Sequence, residues 1–169
     1  MRTALVIIDM QKSLLEDETW RPDHVLQRVS ELERVARDAG APIVYVTDTR
    51  VEPYSDLHTE LNPQDTDLRI VKSNCDSFLG TTLGAGLEGR GIGHVVICGL
   101  HTDFCVDTTC RRAASLGYRV TLVEDAHSTF DRDYISAEKV IEHHNMILNG
   151  FAAGDGRVSV ARSDQVSFD

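Results

Sequence analysis

Long apolar runs are missing from this chain. The N-terminal run, Ala4–Ile8, covers five residues and ends at Asp9. A secretory signal needs a longer apolar core behind a basic start, and a membrane span needs about 20 apolar residues. The expected location is therefore cytoplasmic. Positive charge is also in short supply: 17 Lys and Arg stand against 27 Asp and Glu, for a formal net charge of -10. Nucleic acid and anionic membrane would both be repelled, so neither is expected as a partner. A small anionic substrate stays open, because one local basic group can outweigh the global field. The 4 cysteines (Cys75, Cys98, Cys105 and Cys110) include no CxxC pair and no zinc spacing. The 7 histidines include no HxxxH or HxH pair. No metal or other cofactor is expected. Repeats, low-complexity runs and linkers are absent too, so residues 1–169 read as one domain. In a cytosolic chain the cysteines are reduced, and each is a packing residue or a reactive thiol.

What is present is ordinary for a protein with a real core: 41% hydrophobic and 26% charged residues. Apolar runs alternate with helical periodicity. Strands are expected at Thr3–Asp9, Pro42–Asp48, Leu68–Lys72, Gly93–Gly99, Arg119–Asp125 and Val158–Ala161. Helices are expected at His24–Gly40, Thr82–Arg90, Phe104–Gly117 and Tyr134–Asn149, with a long loop over Arg50–Asp67. The alternation implies βαβ units. It predicts an α/β fold of three αβα layers around a mainly parallel, six-stranded, Rossmann-like sheet. In such folds the crevice lies beyond the carboxyl ends of the strands. Asp9, Asp48, Lys72, Cys105 and Asp125 are all expected at that edge.

Three of these residues carry most of the chemistry. Cys105 lies between a strand and the start of a helix. Unpaired N–H groups there lower a thiol's pKa and can hold an oxyanion. A buried packing cysteine is the competing reading. Cys98, within a strand, and Cys110, within a helix, read as packing; Cys75 lies on a loop. Asp9 closes an apolar strand, as an end cap or as a carboxylate whose pKa burial raises toward the working range. Lys72 also closes a strand, and its default role is to reach solvent. Taken together they supply a nucleophile, a base and a cation, the parts that covalent catalysis at a carbonyl requires. A small-molecule substrate is expected.

Other features are weaker. Gly84–Gly89 matches GxGxxG, but it precedes a strand instead of following one, so it lacks the dinucleotide-binding context. His101, four residues before Cys105, is placed to line a pocket. Trp20 and Phe104 are open to pocket or core roles. Arg21, Arg50 and Arg132 are candidate carboxylate binders, with plain surface exposure the default. Segments 16–23, 50–67 and 127–134 are the expected pocket loops.

Three blocks resemble one family. They are Ala4–Gln11 with its Asp-x-Gln ending, Val71-Lys72-Ser73 with Phe78–Leu83, and Val96–Val106 continuing through Thr108-Thr109, Ala113-Ala114 and Gly117-Tyr118 to Asp125-Ala126. Together they are similar to the isochorismatase-like cysteine hydrolases, which include nicotinamidases and N-carbamoylsarcosine amidases. The resemblance implies a catalytic triad of Asp9, Lys72 and Cys105. It also implies a cis peptide between Leu100 and His101, with the His101 and Cys105 N–H groups forming the oxyanion hole, and a homodimer or homotetramer. Thr47–Val51 lacks the Asp-x-His metal motif of nicotinamidases. Vinyl-ether-cleaving isochorismatases typically lack the cysteine, so Cys105 favours cleavage of an amide or ureido C–N bond through a thioester. Vinyl-ether hydrolysis remains the alternative, as does an idle or redox-responsive binding protein in which Cys105 senses thiols.

Overall fold

The computed structural model describes residues 1–17 and 19–168. Its elements run β1 (Arg2–Ile8), α1 (Lys12–Asp17), α2 (Pro22–Asp38), β2 (Ile43–Asp48), β3 (Leu68–Lys72), α3 (Leu83–Glu88) and β4 (Ile92–Leu100). A π-helical turn (Thr102–Val106) leads into α4 (Asp107–Ser115), followed by β5 (Arg119–Ser128), α5 (Ala137–Leu148), β6 (Ala152–Ala153), β7 (Gly156–Ala161) and a 3₁₀ turn (Ser163–Gln165). The sheet order is β3-β2-β1-β4-β5-β7-β6. Every pairing is parallel except β6 with β7.

Strand alternation explains the three layers. Ala4, Val6 and Ile8 of β1 join one buried cluster with Val44, Val46, Leu83, Leu87, Cys110 and Ala113. Leu5 and Ile7 face the other way, packing with Val25, Val29, Leu32 and Ala36 of α2. A strand buried on both faces reads as a continuous apolar run, which is the signature of a parallel sheet covered by helices.

The sheet has seven strands where six were expected. The extra one, β6, pairs only Ala152 and Ala153 with Arg157 and Gly156. Two residues give no periodic signal. The sequence also gave no warning of α1. The helix expected from Phe104 instead begins as a π turn at Thr102, where the Val106 N–H donates to the His101 carbonyl at 3.2 Å. β5 runs three residues past Asp125, which removes Asp125 from the strand end. The GxGxxG segment forms most of α3, ahead of β4, and makes no strand-to-helix turn.

Candidate active site

Two strands deliver their last side chains to one face. Ile70 and Lys72 are buried while Val71 between them is 61% exposed. Lys72 therefore shares the core face with Ile70 and does not reach solvent. Across the ladder, Asp48 pairs with Lys72. The alternation Val44, Val46, Asp48 puts the Asp48 carboxylate on that same face. Asp9 arrives by a different device. Its φ is +51°, in the left-handed region that aspartate tolerates better than most residues. Its N–H donates to the Val46 carbonyl at 2.9 Å, which anchors the kink.

Gly99 makes that approach possible. It pairs with Ile8 at φ +118°, and a Cβ there would lie 2.0 Å from the Ile8 carbonyl oxygen. The Leu100–His101 peptide that follows is cis. The π turn then carries Cys105, 7% exposed, against the buried cluster containing Ile8 and Ile70.

The Lys72 ammonium is the hub. Its Nζ donates to Asp9 Oδ2 at 2.7 Å, to Asp48 Oδ2 at 2.9 Å and to Cys105 Sγ at 3.2 Å. Three donors meet three acceptors, so the ammonium is fully satisfied without water. Asp48 also accepts from the Arg50 backbone N–H and Nε at 2.9 Å each, and from Nη2 at 2.6 Å. Gln11 clamps this strand end: its Oε1 accepts from Asp48 N–H at 2.8 Å, and its Nε2 donates to Asp48 O and Ser55 O. Asp9 Oδ1 is buried with no hydrogen-bond partner among the described residues.

These contacts set the protonation states. Burial pushes the Asp9 carboxyl up, and attraction to Lys72 offsets only part of that rise. Burial alone would pull Lys72 down, but Asp9, Cys105 and Asp48 hold it above its ordinary value, so it stays charged. Burial would raise Asp48 too, yet the Arg50 and Lys72 hydrogen bonds hold it well below the usual carboxylate range. Burial and then Asp9 push the Cys105 thiol up, with Lys72 offsetting part. That reverses the sequence expectation of a thiol lowered by a helix start: seated against apolar neighbours and beside a carboxylate, the sulfur loses more from desolvation than the turn returns. The site sets a thiol and a carboxyl, both raised by burial, against one cation that touches both.

Oxygens of Asp9 and Asp48 and the Cys105 sulfur lie within 4.8 Å of one another, close enough for one metal ion. The Lys72 ammonium donates to all three groups and supplies the positive charge such an ion would bring.

A cavity of about 410 Å³ opens above these groups. Asp9, Asp48, Arg50, His101, Phe104 and Cys105 are among the residues that line it. The 16–23 segment contributes Asp17 and the 50–67 segment contributes Arg50, Val51 and Glu52, whereas no residue of 127–134 lines it. Glu18 lies outside the described residues. His101 Nε2 sits 3.2 Å from Thr19 Oγ1, and burial pulls its pKa down to about 4, leaving a neutral ring. Arg132 pairs with Asp103, and Arg21 lies over the Trp20 ring beside a separate cavity. Neither lines the cavity over Cys105, so of the three candidate arginines only Arg50 does. Asp125 is also absent: it accepts from the Ser163 N–H and Oγ at 2.8 Å. Sequence reasoning put Asp48 at the edge but missed it as the second partner of Lys72. The alternating strand pattern was the available signal.

The isochorismatase domain model matches residues 3–146. The chain belongs to the isochorismatase family of hydrolases. It is 33% identical over 138 residues to the streptothricin hydrolase of Streptomyces noursei, covering 76% of this chain but spanning 50% of that protein's length. Among solved structures, an isochorismatase from Pseudomonas putida KT2440 superposes with a TM-score of 0.87 at 27% identity, covering 98% of this chain and 90% of that one. N-carbamoylsarcosine amidase from Thermoplasma acidophilum gives 0.79 at 26% identity, covering 98% and 99%. The three-layer fold is thus the family's own. No helix among the described residues is long and apolar enough to cross a membrane.

Proposed function

We propose that this family member is a cysteine-dependent amidohydrolase that cleaves the C–N bond of a small amide or ureido substrate through a thioester on Cys105. One observation carries the reading: the Lys72 ammonium touches both the Asp9 carboxylate and the Cys105 sulfur at the cavity floor. The relatives named for streptothricin hydrolysis and for N-carbamoylsarcosine amide cleavage support the reaction class.

The steps follow from the protonation states. In its anionic form Asp9 takes the Cys105 proton as sulfur attacks the substrate carbonyl, so thiolate forms only as it is consumed. Lys72 remains protonated and stabilises whichever neighbour bears the negative charge. Backbone N–H groups of His101 and Cys105 hold the oxyanion. Protonated Asp9 gives its proton to the departing nitrogen, and the C–N bond breaks to leave a thioester. Asp9 then deprotonates water, which attacks the thioester carbonyl. The sulfur leaves, recovers a proton, and the acid departs.

The test is ammonia release from a panel of primary amides and N-carbamoyl compounds, with wild type and Cys105→Ala compared. Release that falls at least a thousandfold in the variant is the expected result. Release that survives loss of the sulfur overturns the reading and makes the C–N hydrolysis thiol-independent.

A further inference from the structure

Phe104 is oddly placed for a phenylalanine. It directly precedes Cys105, lines the cavity and is 43% exposed. One side of its ring is occupied: Phe130 stacks on it with centroids 6.2 Å apart and planes 13° from parallel. His101 meets Phe130 edge-on at 5.2 Å. His101 and Phe104 on the cavity wall thus share one backing ring.

The wall is held by polar contacts on either side. Asp103, next to Phe104, accepts from Thr129 Oγ1 at 2.7 Å and pairs with Arg132. Thr129 and Arg132 flank Phe130 in sequence, so the two turns carrying the two rings are bolted together twice. The Arg132 guanidinium also lies 4.4 Å from the Phe130 centroid and 5.6 Å from that of Phe104. A ring fixed before a ligand arrives loses little freedom when one stacks on it. An aromatic surface left open beside a nucleophile favours a flat, unsaturated group in offset or edge-on contact.

We propose that Phe104 is a specificity-determining residue, a stacking platform that selects substrates whose acyl group is planar and unsaturated. The inference takes the cavity over Cys105 from the proposed function and adds the class of group that fills it.

The test separates the two ideas. Benzamide and cyclohexanecarboxamide are matched in size and differ in flatness. Each is titrated by NMR into Cys105→Ala, which binds without turnover, and into Cys105→Ala carrying Phe104→Leu or Phe104→Tyr. Benzamide is expected to bind more tightly than its saturated partner and to shift the Phe104 ring resonances. Phe104→Leu is expected to weaken benzamide about three- to tenfold and leave the saturated amide unchanged, while Phe104→Tyr retains the preference. Equal effects on both amides, or no benzamide binding to the Phe104 protein, overturn the platform. So does a Phe104→Leu variant whose size-exclusion profile shows that the ring serves a subunit contact. Ring discrimination in a protein whose activity survives Cys105→Ala would sink the amidase reading alone. Cysteine-dependent turnover without ring discrimination would sink the platform alone.

Discussion

Replacing Lys72 with methionine keeps the side chain out to the ε position and removes the ammonium. The ammonium is wholly buried and separates two carboxylates whose oxygens lie within 4.8 Å of each other. Without it, two like charges at that distance repel by about 3 kcal/mol at an effective dielectric of 20. The protein can escape by protonating Asp9, already raised by burial, while Asp48 keeps Arg50. Holding an aspartate of ordinary pKa neutral costs about 6 kcal/mol at pH 8 but about 2 kcal/mol at pH 5.5. Lys72→Met should therefore lose about 3–5 kcal/mol relative to wild type at pH 8, in the range seen when a buried pair is broken, and about 2 kcal/mol at pH 5.5. The sign follows from linkage. A carboxyl raised in the folded state binds more protons folded than unfolded, so its contribution fades as pH rises through the folded value. Urea unfolding of both proteins at the two pH values reads the difference, and contributions common to both cancel. A loss equal at both pH values, or none at pH 8, would refute the claim that Lys72 neutralises this site.

Other outcomes follow from neighbouring groups. Gly99→Ala places a Cβ against the Ile8 carbonyl at a φ that L residues rarely adopt, so denaturant unfolding should show a loss of about 4 kcal/mol or more. Burial pulls the buried His101 and His127 both down to about 4. Stability present above pH 6.5 should therefore be lost as pH falls toward 4, by up to about 3 kcal/mol for each ring; His127→Gln should remove one share of that drop in urea titrations. The kcat/KM profile should lose activity on the acid side above the ordinary carboxylate range, where Asp9 takes a proton. Asp9→Asn should lower kcat/KM by about 10²–10⁴, and a smaller loss would remove Asp9 as the base.

The sequence carried the parallel strands and the edge at which Asp9, Lys72 and Cys105 meet, because apolar runs of four to six residues between helical repeats have few other solutions. Leu68–Lys72 was legible to the residue. The losses have local causes. β5 continues through Ala126, His127 and Ser128, and a His-Ser pair does not look like strand. Thus Asp125 was placed at a strand end it does not occupy. The π turn at Cys105 depends on two i→i+5 hydrogen bonds, from Val106 N–H to the His101 carbonyl and from Asp107 N–H to the Thr102 carbonyl, that no residue pattern announces. The direction of the thiol's shift was misread because position in a helix is visible in a sequence and depth of burial is not. The aromatic wall was hidden for a related reason: Phe104 and Phe130 are far apart in sequence and meet across tertiary contacts, among them those of Asp103 to Thr129 and Arg132.

The central claim is a covalent bond to Cys105. Wild-type protein turning over an amide from the ammonia-release panel is quenched in acid within its steady state, digested and weighed. The account predicts the mass of the substrate's acyl group on the peptide carrying Cys105, removable by hydroxylamine and absent from Cys105→Ala. Steady turnover with that peptide unmodified, and with Cys105→Ala nearly as active, would contradict it.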